Sequence, residues 1–396
     1  MTREERELRR QQRERQLQIE MAAREAGRGP LDVPFLLLTL LLTGVGLIML
    51  FSASFPMAYY EGQGAAHYLI RQGVFAAVGI AVMLVVGRIN YARYRVTGKY
   101  VLAIAIVLLF LVLIPGVGIT RNNATRWLGF GELFTFQPSE IAKVGVILFF
   151  ADSISRKKEK MRTFRDGILP YGVILAVIAV LMIKEPHLSG TVLILGIGAV
   201  MMFVGGIDLI WVGAGGGVGA LGVWAYLTGK IGYNSSRIAV WRDPLTEDEE
   251  LMRGAAYQIR QSLLAIGSGG LLGVGLGKSR QKFMYLPERH NDFIFAIICE
   301  ELGLIGATLI MALFALLILR GYWIALHARD RFGALLAVGV TTQVALQTFL
   351  NIAVVTNLIP NTGISLPFFS YGGTALVIQL AEMGLVLSVS RQMPPS

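Results

Sequence analysis

Ten runs of about 17 to 25 mostly apolar residues follow one another along this chain, and a run of that length is what an α-helix needs to cross the hydrocarbon core of a bilayer. They lie near residues 34 to 53, 68 to 87, 100 to 115, 138 to 154, 167 to 183, 188 to 205, 208 to 228, 293 to 319, 332 to 356 and 368 to 390. Inside lipid every backbone N–H and C=O must find a partner within the protein, so such runs fold as helices packed against one another. Of the 396 residues, 54% are hydrophobic and only 16% are charged, against roughly 25% charged in a soluble domain. The expected fold is all-α: an integral membrane protein with about ten transmembrane helices in one bundle.

Orientation follows from the Lys and Arg between the runs. With the N-terminus taken as cytosolic, twenty-two fall on its side, among them Arg88, Arg93, Arg95, Lys99 and six between residues 156 and 165. The opposite short loops hold only Arg71, Arg121, Arg126 and Lys184, so the positive-inside rule puts both termini in the cytosol. Residues 1–32 are then a cytosolic segment, 33–391 a membrane domain and 392–396 a cytosolic tail. Between the seventh and eighth runs, residues 229–292 form one large external loop, longer than a connector needs to be and carrying an acidic stretch from Glu247 to Glu250.

The net charge of +10 does not point to nucleic acid, because the basic residues fall between apolar runs instead of forming a basic and aromatic patch. The single cysteine, Cys299, lies inside an apolar run and excludes a disulfide framework or CxxC site. In the N-terminal segment the alternation of Arg and Glu suits a solvated helix with spaced ion pairs, with anionic headgroups as the rival partner.

Charged and amide side chains inside apolar runs are expensive, and each needs a partner or a role. Glu140 and Lys143 share one helical face, either as an ion pair between helices or as the charged floor of a pocket. Gln343, Gln347 and Asn351 recur every four residues and form a polar stripe suited to interhelical hydrogen bonds. Gln379 and Glu382 share a face further on, and Glu382 lies deep enough to need a partner. Asp292 is the last charge before the eighth run, at the outer rim, where partial desolvation suits a general base; a helix N-cap is the equally weighted alternative. Glu300 and Glu301 follow two turns later, and at least one faces the bundle interior.

Two apparent motifs carry little. Gly273 to Ser279 ends like a phosphate-binding loop, but Leu272 stands where a glycine is required and no strand precedes it. His67, His187, His290 and His327 fall in separate loops without metal-ligand spacing.

Four blocks carry a family likeness: Arg126-Trp127-Leu128-Gly129, Gln137-Pro138-Ser139-Glu140, Asn291 to Ala296 with Glu300-Glu301-Leu302-Gly303, and Leu366 to Gly373, which includes Ser370. In order and spacing, from about residue 33 to 391, they resemble the signature blocks of the SEDS family (shape, elongation, division and sporulation). Ala265 to Gly270 and Gly275 to Lys282 look nearer the FtsW and SpoVE branch than the RodA branch. One departure stands out: where the family often has Pro-Asp-Leu-Gly, this chain has Pro186-His187-Leu188-Ser189-Gly190.

The resemblance implies a peptidoglycan glycosyltransferase in the bacterial cytoplasmic membrane, at the division septum if FtsW-like. It implies polymerisation of lipid II onto an undecaprenyl-linked glycan at the outer face, beside a class B penicillin-binding transpeptidase and other divisome or elongasome membrane proteins. Asp292 matches the catalytic position. An α-linked donor and β-linked product mean inversion, which needs a base for the attacking hydroxyl. Arg126, Arg237, Lys278, Arg280, Lys282 and Arg289 are the candidate cations for the departing diphosphate, two or three of them sufficing. A divalent cation, Mg or Mn, would also neutralise the diphosphate, but no paired-aspartate motif marks its ligands, and no cofactor is certain. The rival classes are a lipid II flippase, for which Glu140, Lys143 and Glu382 would form a path, and a non-catalytic division scaffold.

Overall fold

A computed structural model describes residues 29–121, 124–130, 134–227, 235–248, 251 and 254–393. The Arg/Glu segment up to residue 28, Glu249 and Glu250 of the acidic stretch, and the tail from 394 lie outside the described residues.

Each of the ten apolar runs is helical. The first seven are α1 (Val33–Tyr60), α2 (His67–Arg88), α3 (Tyr94–Val112), α4 (Pro138–Lys157), α5 (Leu169–Lys184), α6 (Leu188–Val204) and α7 (Leu209–Leu227). Two shorter helices, α8 (Ser235–Arg242) and α9 (Ala255–Gly269), precede α10 (Ile294–Leu326), α11 (Arg331–Val355) and α12 (Gly373–Ser390). Among the described residues, seven helices are long and apolar enough to cross a membrane: α1, α2, α3 and α5 with their short leading turns, and α10, α11 and α12. The stretch expected as one large loop, 229–292, contains α8 and α9, and the last helix begins at Gly373 instead of near 368. Residues 367–372 turn because Ser370 and Tyr371 bond to the chain at Asn291 and His290.

The bundle is sorted by polarity from the inside out. In α11, 72% of the apolar window is buried within the protein and in α12 67%, against 22% in α2. α11 carries Gln343, Gln347 and Asn351 and α12 carries Gln379 and Glu382, all buried, so the helices with the most polar side chains occupy the centre. The outer helices turn Val, Leu, Ile and Phe outward, as lipid requires.

α10 is broken. Gly303 has φ 66° and ψ −170°, a conformation open essentially to glycine alone. A break inside a membrane bundle needs new partners for the freed backbone groups. The glycine-rich turn after α9 supplies them. Val274 N–H donates to the Glu300 carbonyl (2.9 Å) and Gly275 N–H to that of Glu301 (3.0 Å), while Leu304 and Ile305 donate to the carbonyls of Gly270 and Leu271 (2.9 and 3.1 Å). The approach is so close that a Cβ on Gly273 would lie 2.2 Å from the Glu301 carbonyl oxygen. This is the role of the glycines that mimic a phosphate-binding loop.

Between α3 and α4 the chain forms an antiparallel sheet that the sequence reading did not anticipate, ordered β1 (Ile119–Arg121), β2 (Ala124–Phe130) and β3 (Phe134–Phe136). Its strands are short, and one of its ties to the helices is the Thr374 hydroxyl at the start of α12, which donates to the Thr135 carbonyl of β3 (3.2 Å).

Candidate active site

A cavity of about 730 Å³ opens at one end of the bundle. Its walls come from the connections that meet there: β2 and β3, the α5–α6 turn, α8 and α9, the loop before α10, and the α11–α12 turn. Arg71, Arg126, Arg237, His187, Glu288, Asp292 and Asn361 line it, with Glu140 and Lys143 of α4 and Gln347 of α11 among its deeper residues.

Asp292 is not the N-cap of α10. That position is Phe293, and no side chain caps the helix. The backbone around the carboxylate is fixed instead. Asn351 donates from Nδ2 to the Asp292 carbonyl (2.8 Å) and to that of Ile364 (2.7 Å), and the Ser370 hydroxyl donates to the Asn291 carbonyl (2.8 Å). Burial raises the pKa of the Asp292 carboxyl, the Glu288 carboxylate raises it further, and Arg126 and Arg237 pull it down. It settles at about 6.

The cations divide into two sets. Arg126 and Arg237 face the cavity. Arg126, on β2, donates to the carbonyls of Glu185 (3.4 Å) and Pro186, and Arg237, on α8, to that of Asn361 (3.1 Å). Lys278, Arg280, Lys282 and Arg289 do not line it. Lys278 and Arg280 are exposed. Lys282 is buried in an ion pair with Glu301 (2.7 Å), and Arg289 is buried against the Leu286 carbonyl and the sulfurs of Met57 and Met284.

The polar stripe of α11 acts as interhelical glue. Gln343 donates to Glu382 (2.5 Å), which names the partner Glu382 needed. Gln347 accepts from Lys143 Nζ (3.3 Å) and donates to Ser365, while Lys143 also pairs with Glu140 (2.8 Å). Glu140 and Lys143 are thus both an ion pair and part of the cavity wall. Glu300 and Glu301 both face inward. Glu300 accepts from the Arg280 N–H (2.9 Å) and the Ser279 hydroxyl, and Glu301 from the Ser52 hydroxyl (2.6 Å) and Lys282.

Sequence reasoning missed Arg71, His187 and Glu288 as wall residues. Arg71 and Arg126 are two of the four cations counted on the cation-poor side, and that rarity was the available signal. His187 stands in the α5–α6 turn, its Nε2 2.9 Å from Gln137 Nε2 and 3.4 Å from Ser139 Oγ. Burial, with Arg126 and Lys143 nearby, pushes its pKa down to about 3, so it is neutral. Beside it Glu185 is buried with neither carboxylate oxygen hydrogen-bonded among the described residues. Burial raises its carboxyl to about 8 against the pull of Arg126. No group of three His, Cys, Asp or Glu side chains among the described residues is placed to hold a metal ion, so no cation ligands are assigned.

Helices that sort polar groups inward around a carboxylate-bearing cavity define a membrane protein with a polar site at one end of its bundle. The chain belongs to the FtsW/RodA/SpoVE family, described as cell cycle protein, whose model matches residues 33–394. It is 43% identical over 364 residues to stage V sporulation protein E of Bacillus subtilis, covering 91% of this chain and 97% of that protein. It is 40% identical over 363 residues to a probable peptidoglycan glycosyltransferase FtsW of Geobacter sulfurreducens, covering 91% and 95%. Among solved structures, a chain of a peptidoglycan synthase complex that coordinates polymerization and crosslinking matches with a TM-score of 0.73 at 26% identity, over 91% of this chain and 98% of that one. The rod shape determining protein RodA of Thermus thermophilus matches with a TM-score of 0.66 at 25% identity, over 93% and 99%.

Proposed function

We propose that this protein is a peptidoglycan glycosyltransferase that polymerises lipid II at the outer face of the cytoplasmic membrane, with both termini in the cytosol and ten crossings. The observation that carries the reading is the placement of Asp292 in one polar cavity with Arg126 and Arg237, its carboxyl tuned to about 6. That value suits a base at neutral pH: ionised, yet more basic than an ordinary carboxylate.

In this reading the 4-hydroxyl of the acceptor sugar attacks the anomeric carbon of the growing glycan. The O4–C1 bond forms as the bond from C1 to the diphosphate oxygen breaks, and the configuration inverts. Asp292 takes the hydroxyl proton, and undecaprenyl pyrophosphate departs with the bonding pair. Arg126 and Arg237 meet the charge that builds on the diphosphate, where a guanidinium's paired donors match phosphate oxygens. Arg71 adds a third cation from α2. A class B penicillin-binding transpeptidase is the partner that fits this activity, at the septum if the chain serves division.

The test is reconstitution of the purified full-length chain with lipid II. Native protein is expected to make glycan polymer and Asp292→Asn none, with unchanged thermal unfolding. Polymer of normal length from Asp292→Asn would remove the base assignment. Passage of lipid II across the bilayer without polymer would favour a flippase, and growth unaffected by Asp292→Asn in cells would favour a scaffold.

A further inference from the structure

Asp292 does not face cations alone. Glu288 lies four residues earlier on the same loop and lines the same cavity. Its backbone adopts φ 52°, a left-handed conformation that is strained for a non-glycine residue and persists only where its surroundings hold it. From that bend the Glu288 carbonyl accepts the N–H groups of Asn291 (3.0 Å) and Phe293 (3.2 Å). The Glu288 carboxylate accepts from Asn291 Nδ2 at 2.6 Å. These three bonds wind residues 288–293 into a tight turn, and Asp292 leaves it between the two residues whose N–H groups it holds.

We propose that Glu288 is a positioning residue of this site, a second carboxylate whose turn aims Asp292 into the cavity and whose charge makes Asp292 a stronger proton acceptor than a lone carboxylate. This rests on the glycosyltransferase reading and names a contributor to it. A negative charge facing the same low-dielectric space disfavours ionisation of Asp292, which therefore binds a proton more tightly. The other charged and titratable wall groups do not supply that push. Arg126 from β2, Arg237 from α8 and Arg71 from α2 are cations; His187 from the α5–α6 turn is neutral; Glu140 of α4 is neutralised by Lys143 at 2.8 Å. Among the described cavity residues Glu288 is the remaining acid. It takes no proton in the reaction.

The test is the pH dependence of lipid II polymerisation by the purified full-length chain, for native protein, Glu288→Gln, Glu288→Asp and Asp292→Asn. Glutamine keeps an oxygen for the Asn291 amide and removes the charge. The acid limb of the native profile, with its midpoint near 6, is expected to move to lower pH in Glu288→Gln. The fraction of its own plateau rate that this variant keeps at pH 5 rises about threefold or more, and the plateau itself falls severalfold because the base is weaker. Glu288→Asp keeps the charge, and its limb is expected to stay at the native midpoint even where the shorter side chain releases Asn291 and slows turnover. A Glu288→Gln profile lowered at every pH with its limb unmoved would reduce Glu288 to a structural role and overturn the proposal. If Glu288→Gln does not yield folded protein, a limb displaced to lower pH in Glu288→Asp overturns it instead. Failure of the underlying reading looks different, since Asp292→Asn would then polymerise.

Discussion

The ammonium of Lys282 lies 2.7 Å from the Glu301 carboxylate, and neither side chain is exposed. Ser52 of α1 donates to the same carboxylate at 2.6 Å, and Ser279 and the Arg280 N–H engage the adjacent Glu300. The pair joins the segment that follows the glycine-rich turn to the first half of α10. Removing one member of a buried pair leaves the other charge uncompensated, at about 3–5 kcal/mol. Lys282→Met is therefore expected to lower the thermal unfolding midpoint sharply, and Lys282→Met with Glu301→Gln to recover much of the loss. Equal loss in the single and double variants, followed by intrinsic fluorescence in detergent, would count against the pairing.

The break in α10 makes a backbone prediction. Gly303→Ala and Gly273→Ala force a Cβ into a left-handed residue and to 2.2 Å from a backbone atom. Strain alone costs about 1–3 kcal/mol in each. Gly213 of α7 has nothing within 4 Å of its added Cβ, so Gly213→Ala is the control expected to leave the unfolding midpoint unchanged.

Loss of the Asp292 carboxylate should remove chemistry without unfolding the protein, because the hydrogen bond from Asn351 that fixes this position runs to its backbone carbonyl. Positioned bases contribute about 10²–10⁴-fold. Asp292→Asn is expected to lose at least that much of the polymerisation rate with an unchanged unfolding midpoint.

Arg126→Ala and Arg237→Ala should weaken use of the donor, each by roughly 10- to 100-fold in kcat/KM if a charge-assisted bond of about 1.5–3 kcal/mol is lost. Arg126→Lys is expected to recover only part of the loss, since an ammonium lacks the paired donors. Unchanged turnover at subsaturating lipid II would take these residues out of the headgroup site.

The buried Glu185 gives a pH signature in stability. Its folded pKa, about 8, lies above that of an ordinary carboxyl, so the folded state holds a proton that the unfolded chain releases. Stability from this group is present at low pH and declines as pH rises through that window. Glu185→Gln removes the titration, so its unfolding midpoint should rise relative to native protein between pH 5 and 9. A constant difference across that range would place the carboxyl in contact with solvent or a cation.

The helices were legible in the sequence because a bilayer imposes a length and an apolarity that local composition either meets or does not. The stripe of Gln343, Gln347 and Asn351 was legible for a related reason: three polar groups at helical spacing in an apolar run can only face inward. Arg126 and Asp292 stood out in blocks of family likeness. The sheet carrying Arg126 did not, because strands of three to seven residues are too short for periodicity to separate them from loop.

What separated one cation from another was decided by tertiary structure. Lys278, Arg280, Lys282 and Arg289 resemble Arg126 and Arg237 along the chain, since all six occur in polar connecting segments. Only the folding of the glycine-rich turn into the break of α10 buries Lys282 on Glu301, while β2 and α8 bring Arg126 and Arg237 to the cavity from distant parts of the chain. Sequence fixes which side chains can bear charge and how the helices must run through an apolar slab. Whether a charge is sealed in a pair or presented to a cavity depends on contacts between segments that local physical chemistry does not encode.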